Sequence, residues 1–270
     1  MKTIKILIAI FFIYQVNIAL SQEDEITIWA KTFEIVPKNI KDSRLKFVNL
    51  AGDVTITANN LSKIIIEVDG IKPNPERAKG LKRIGPGGGD NTGVGLNIKQ
   101  EGNTILLTGA VSMSSRTKYK ISVPKDLKIY VQLGMMNNGD LKITGLNSDL
   151  ELDVKNSDIK LKEVTGPTVI SSLSGDIDII FAKVKQTSPF SIKGISGDID
   201  ISLPINTPAD LELRSMNGGV YSDFDLNVVD KDDRDPYIVS SPKIFTKLNK
   251  GGVKIYVKAI SGNIYLRKKK

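Results

Sequence analysis

The chain has 270 residues, 40% of them hydrophobic and only 6% aromatic, with 38 basic against 30 acidic side chains for a formal net charge of +8. It contains neither cysteine nor histidine, which excludes thiol nucleophiles, disulfide staples, imidazole or thiolate metal sites and every histidine-based triad. The positive balance does not point to nucleic acid, because the cations are interspersed with nearly as many acids instead of forming an aromatic-interleaved patch.

At the start of the chain, Lys2 and Lys5 precede an apolar run over 6–13 that weakens through Val16 and Leu20, and Ala19 and Ser21 stand at small-residue positions before Gln22. This pattern predicts a signal peptide over 1–21 and an exported product, in the periplasm, at the cell surface or outside the cell. Tyr14, Gln15 and Asn17 interrupt the run, and no later segment approaches membrane-spanning length. The mature part is therefore expected to lack a transmembrane span, and the absence of cysteine rules out a lipoprotein anchor.

The informative feature of residues 22–270 is a recurring phrase: a small residue, usually Gly, then Asp or Asn, then alternating apolar and polar positions. It reads AGDVTIT at 51–57, NGDLKIT at 138–144, NSDIKLK at 156–162, SGDIDII at 174–180 and SGDIDIS at 196–202. Degenerate copies read NGGVYSD at 217–223 and SGNIYLR at 261–267. Between Asp140 and Gly219 the copies recur about every twenty residues, the spacing of a solenoid in which each repeat is one turn.

A period of two within each copy predicts a strand with one buried and one exposed face. The inward set is Gly139, Leu141 and Ile143; Ser157, Ile159 and Leu161; Gly175, Ile177, Ile179 and Phe181; and Gly197, Ile199, Ile201 and Leu203. The outward set holds Asp140, Lys142, Asp158, Lys160, Asp176, Asp178, Asp198 and Asp200. A slip of one residue would turn every apolar side chain into water, so the register is strongly specified. The Gly before each Asp suits a corner that demands positive φ or close backbone approach, and the Asp beside it suits a turn.

Two stretches break the rhythm. Residues 72–95 are rich in Pro and Gly and read as a loop insertion. Their glycine cluster lacks the Gly-Lys-Ser or Gly-Lys-Thr ending and the following helix of a phosphate loop. Residues 225–242 carry five acids and read as a polar loop. Strand patterns resume after both, so 22–270 is expected to be one domain without a convincing helix. The basic end, Arg267 to Lys270, reads as a solvated tail.

The SGDIDI phrases, the stretch LPINTPADLELRSMNGGV at 203–220 and KFVNLAGDVTIT at 46–57 together resemble the bacterial adhesin-like family of unknown function related to head-GIN domains. The resemblance spans roughly 45–266. It implies an all-β, single-stranded parallel β-helix, exported to the envelope and without an assigned catalytic role. With the repeat spacing, the expected solenoid has rungs of about twenty residues and a right-handed sense. It carries no established functional residues.

Stacking in parallel would set Asp176 beside Asp198, and Asp178 beside Asp200, about 4.8 Å apart. The bland reading is repulsion screened by water and salt; the functional one is a Ca²⁺ ion held by these four carboxylates, the one cofactor they suit. An acid and base of a polysaccharide hydrolase or lyase is the catalytic alternative, but it needs two carboxyls in unlike environments, which identical repeats do not provide. Outward Tyr221 and Tyr265 are candidates for stacking on a sugar ring or for ordinary cross-strand contact. The reading that results is a non-catalytic exported protein that either has an envelope glycan or protein as partner or serves a structural role.

Overall fold

The computed structural model describes residues 29–71, 75–81, 84–85, 88–110, 117–135, 137, 139–226 and 243–270. The expected signal peptide at 1–21 and most of the polar loop at 225–242 lie outside the described residues.

In chain order the strands are β1 (Trp29–Ile35), β2 (Arg44–Val48), β3 (Asp53–Asn59), β4 (Ile64–Ile71), β5 (Ile84–Gly85), β6 (Gly88–Gly89), β7 (Leu96–Glu101) and β8 (Thr104–Gly109). They continue as β9 (Lys118–Pro124), β10 (Lys128–Leu133), β11 (Leu141–Thr144), β12 (Leu150–Val154), β13 (Ile159–Val164), β14 (Thr168–Ser174), β15 (Ile177–Phe181) and β16 (Phe190–Ser196). The last six are β17 (Ile199–Leu203), β18 (Ala209–Asn217), β19 (Val220–Ser222), β20 (Lys243–Leu248), β21 (Val253–Ser261) and β22 (Ile264–Lys268). A single 3-10 turn at Glu76–Ala78 is the one helical element among the described residues, and none is long and apolar enough to cross a membrane.

Apart from the β5–β6 pair, the strands form two ten-stranded sheets. One runs β1-β4-β9-β3-β11-β13-β15-β17-β22-β19, the other β20-β18-β21-β16-β14-β12-β10-β2-β8-β7. Successive strands from β10 to β19 alternate between the sheets, so the chain winds around one core, contributing a strand to each sheet per turn. Parallel register fixes the coil: Leu141 pairs with Ile159, Ile159 with Ile177 and Ile177 with Ile199, offsets of 18, 18 and 22 residues.

All ten apolar side chains assigned inward from the repeats are buried. Each such Leu or Ile contributes about 1.5–3 kcal/mol of transfer free energy, and the core they belong to continues through the outer turns, with Phe47, Ile56 and Ile105 at one end and Leu213, Val257 and Ile264 at the other. The two sheets meet through contacts such as Phe181 on Phe190, edge to face with centroids 5.5 Å apart.

At both ends the stack departs from chain order. The NGGV copy in β19 does not follow the SGDIDIS copy in β17; the C-terminal β21 and β22 are inserted between them. At the other end β2 and β3 lie next to β10 and β11, while β8 and β9 form the outer turn. Antiparallel strands then cover the edges: β4 and β1 beyond β9, β7 beyond β8 and β20 beyond β18. Simple stacking in sequence order would have left parallel edges open at both ends, and this arrangement covers three of the four.

Candidate functional site

The Gly-Asp column lies at one corner of the coil and has a structural cause. Gly175 and Gly197 have φ of 111° and 115°, and a Cβ on either would fall 2.3–2.4 Å from the carbonyl oxygen of the preceding turn. At these two positions only Gly permits the turns to stack this closely, whereas the neighbouring turn carries Ser157 in the same column.

The neighbouring Asp side chains bond not their own turn but the next one. The Asp176 N–H donates to Asp158 Oδ1 (3.0 Å), Asp198 N–H to Asp176 Oδ1 (2.8 Å), Asn263 N–H to Asp198 Oδ1 (2.7 Å) and Gly219 N–H to Asn263 Oδ1 (2.9 Å). Asp140 N–H donates to Asp53 Oδ1 (3.1 Å) in the same way. The ladder runs in spatial order, 158, 176, 198, 263, 219. Gly219, which breaks the phrase as a sequence, occupies the last turn, where no further N–H needs an acceptor.

Buried Asn137 ties the same corner together. Its Oδ1 accepts from Gly52 N–H (2.8 Å) and its Nδ2 donates to Ser157 Oγ (2.9 Å), joining three turns distant in sequence. It escapes sequence reasoning because it precedes the repeat phrase and has no periodic partner.

Of the four carboxylates considered for Ca²⁺, Asp176 and Asp198 are thus engaged through Oδ1 with the next turn. Asp200 receives the Arg267 Nε–H on both oxygens, at 2.9 and 2.7 Å. Asp178 faces Asp200 in register and has no hydrogen bond or ion pair among the described residues. Its carboxyl is held above the ordinary range, first by desolvation and then by the charge of Asp200, with Lys160 opposing. Among the described residues no three carboxylates gather closely enough to hold a metal ion.

Tyr221 and Tyr265 are register partners on β19 and β22, and their rings stack with centroids 5.3 Å apart and planes 16° from parallel. Tyr221 is 55% exposed. Tyr265 sits against the Arg267 guanidinium (5.3 Å) and beside Asp200 in register. The outer face of this sheet therefore ends in an aromatic platform bordered by an Arg–Asp pair.

The basic end is not a free tail. Arg267 pairs with Asp200, the Lys268 N–H donates to Asp223 Oδ1 (2.7 Å), and Lys269 Nζ reaches both oxygens of Glu163 (2.8 and 2.9 Å). These contacts exist because the C-terminal turn is inserted into the stack, where acids of other turns border it.

The glycine-rich loop supplies its own anion. Asp90 Oδ1 accepts from the N–H groups of Thr92 and Gly93 and from Thr92 Oγ1, and Oδ2 accepts from Gly95 N–H, all at 2.8–2.9 Å. Burial acts to raise the Asp90 carboxyl, but these hydrogen bonds outweigh it and hold it below the ordinary value. Donors that a phosphate would need are already committed.

Residues 135–267 match the family described as Toastrack DUF4097. This stretch of the chain is a Toastrack domain. No curated protein matches the chain. Among solved structures, a candidate cell adhesion protein of Clostridium sporogenes is 12% identical, covering 89% of this chain and 99% of that one with a TM-score of 0.42. A candidate adhesin of Bacteroides fragilis is 12% identical over 89% of this chain and 97% of its own, with a TM-score of 0.34. One of Parabacteroides distasonis is 9% identical over 88% and 96%, with a TM-score of 0.32.

Proposed function

We propose that this protein is a non-catalytic, exported envelope or surface protein, and that the outward face of its Toastrack solenoid binds a glycan or protein partner. The coil is right-handed in this reading, the sense that nearly all parallel crossovers take. The observation that carries it is the Tyr221–Tyr265 platform: two large rings, stacked and partly open to solvent at the end of a regular face, beside a charged pair able to hydrogen-bond hydroxyls. Such exposed amphipathic aromatics supply contact area at low entropic cost.

The test is a thermal-shift screen of the protein against bacterial and host glycans and Ca²⁺, followed by titration of each hit with the Tyr221→Ala/Tyr265→Ala variant. A hit whose affinity falls at least tenfold in that variant supports the platform; hits unaffected by it overturn the assignment to this face.

One observation favours a carbohydrate-active enzyme as the second reading: the raised Asp178 carboxyl next to the ion-paired Asp200 has the asymmetry that an acid and its partner need. Asp178 is nevertheless exposed on an outward strand face, with desolvation and neighbouring charges as the whole cause of its shift. Turnover of any glycan hit that disappears in Asp178→Asn, with binding retained, would replace the binding module by the enzyme.

A further inference from the structure

The other sheet carries a charged feature with no structural explanation. On its outer face Lys243 pairs in register with Arg214, Arg214 with Lys258 and Lys258 with Lys193. Four cations thus stand in one row across four adjacent strands, about 4.8 Å from one to the next. Like charges directly opposite on neighbouring strands destabilise a sheet, and three such contacts in succession compound the cost.

Nothing within the described protein relieves this row. Of the two acids on the same face of β18, Glu212 goes to Lys254 at 2.6 Å, and Asp210 lies in register between Lys247 and Lys254 at the far end of the strand from Arg214. None of the four cations has an acidic partner among the described residues, and Arg214 Nε is buried and donates to nothing there. Lys193 lies over the ring of Tyr256, 5.7 Å from its centroid, so an aromatic surface borders the row. The row has an end: the next position beyond Lys193 is Ser171, and the one after that is Asp153.

We propose that this row is a binding site for a linear anionic polysaccharide, with carboxylates or sulfates along the polymer meeting successive cations. A row of cations in register, without acidic partners among the described residues, complements a polymer that presents its charges at a repeat comparable with the strand spacing. Exposed Ile195 and Met216 lie beside the row and would suit an acyl chain. A flat strand face nonetheless offers no cleft to withdraw such a chain from water, and the regular charge spacing argues for the polysaccharide. The site is on the sheet that faces away from the tyrosine platform and does not depend on it.

The experiment measures binding of the full protein to heparin, polygalacturonate and neutral dextran at several salt concentrations, with phosphatidylglycerol vesicles in parallel. Heparin or polygalacturonate binds and dextran does not. Lys193→Gln/Lys258→Gln lowers affinity at least tenfold and reduces the slope of log K against log salt by about two, one per cation removed. Lys99→Gln/Lys162→Gln removes equal charge elsewhere and changes affinity less than about twofold, the small effect of a screened, distant charge. Because it relieves repulsion, the row variant melts no lower than the parent, which excludes unfolding as the cause of its loss. Equal losses in both variants, equal binding to dextran, binding to vesicles alone or no binding to any polyanion would each overturn the proposal.

Discussion

The middle turns and the two ends of this solenoid obey different rules. From β10 to β17 each turn lies on the one before it in sequence, and the alternating Ile and Leu columns are continuous. At the ends, turns that are consecutive in the chain are separated in space, and antiparallel strands close the stack. In the middle every turn has identical neighbours above and below, so a repeated phrase suffices. At an end one neighbour is missing, and the cheapest way to satisfy an open edge is to fold the chain back over it.

That contrast can be broken most forcefully in the core. Ile179→Asp in a middle turn buries an unpaired charge between two turns with no alternative packing and should cost more than about 4 kcal/mol, leaving no cooperative thermal transition. Ile244→Asp, on the capping strand β20 where the side chain is only half-buried, should cost about 1–2 kcal/mol and keep a cooperative melt. Similar losses in both would show that the ends are as tightly determined as the middle.

The ladder sharpens the comparison at smaller amplitude. Asp198→Ala removes the acceptor for the Asn263 backbone and side chain within the stack and should cost about 1.5–3 kcal/mol in chemical denaturation. Asp223→Ala also removes an acceptor of a backbone N–H, from Lys268, but on the exposed last turn, and should cost about 0.5 kcal/mol. Reversed magnitudes would mean that the ladder contributes register and not stability.

Asp90 provides the smallest and most selective effect. Its folded pKa lies below the unfolded value of about 3.9, so the folded state favours the carboxylate. The stability it contributes is complete above about pH 5 and is lost as pH falls through the folded pKa. Asp90→Asn should therefore flatten the acid limb of a stability profile between about pH 5 and 3 while leaving the slope above pH 6 unchanged. An unchanged acid limb would remove Asp90 from the account of this loop.

Several features are legible in the sequence. The alternation in SGDIDII and SGDIDIS placed Ile177, Ile179, Ile199 and Ile201 inward, and all four are buried. Glycine at the corner is legible as a conformational requirement, whereas the Asp beside it reads as a local turn former and in fact serves the next turn of the coil. The basic end was readable only as a tail, because its partners Asp200, Asp223 and Glu163 come from turns 45 to 106 residues away. The cation row was invisible for the same reason: Lys193, Arg214, Lys243 and Lys258 are scattered singly along the chain and meet only through register.

The sequence by itself determined the composition of a turn: which residues face the core, where the chain must bend, and that strands rather than helices result. Those are local consequences of side-chain period and glycine sterics, and they hold wherever a turn is placed. Only the tertiary structure decided which turn lies on which, because parallel pairing energy is nearly the same between any two such turns and the choice falls to edge closure. The placement of β21 and β22 inside the stack follows from that choice, and with it the tyrosine stack, the Arg267–Asp200 pair and the row of four cations.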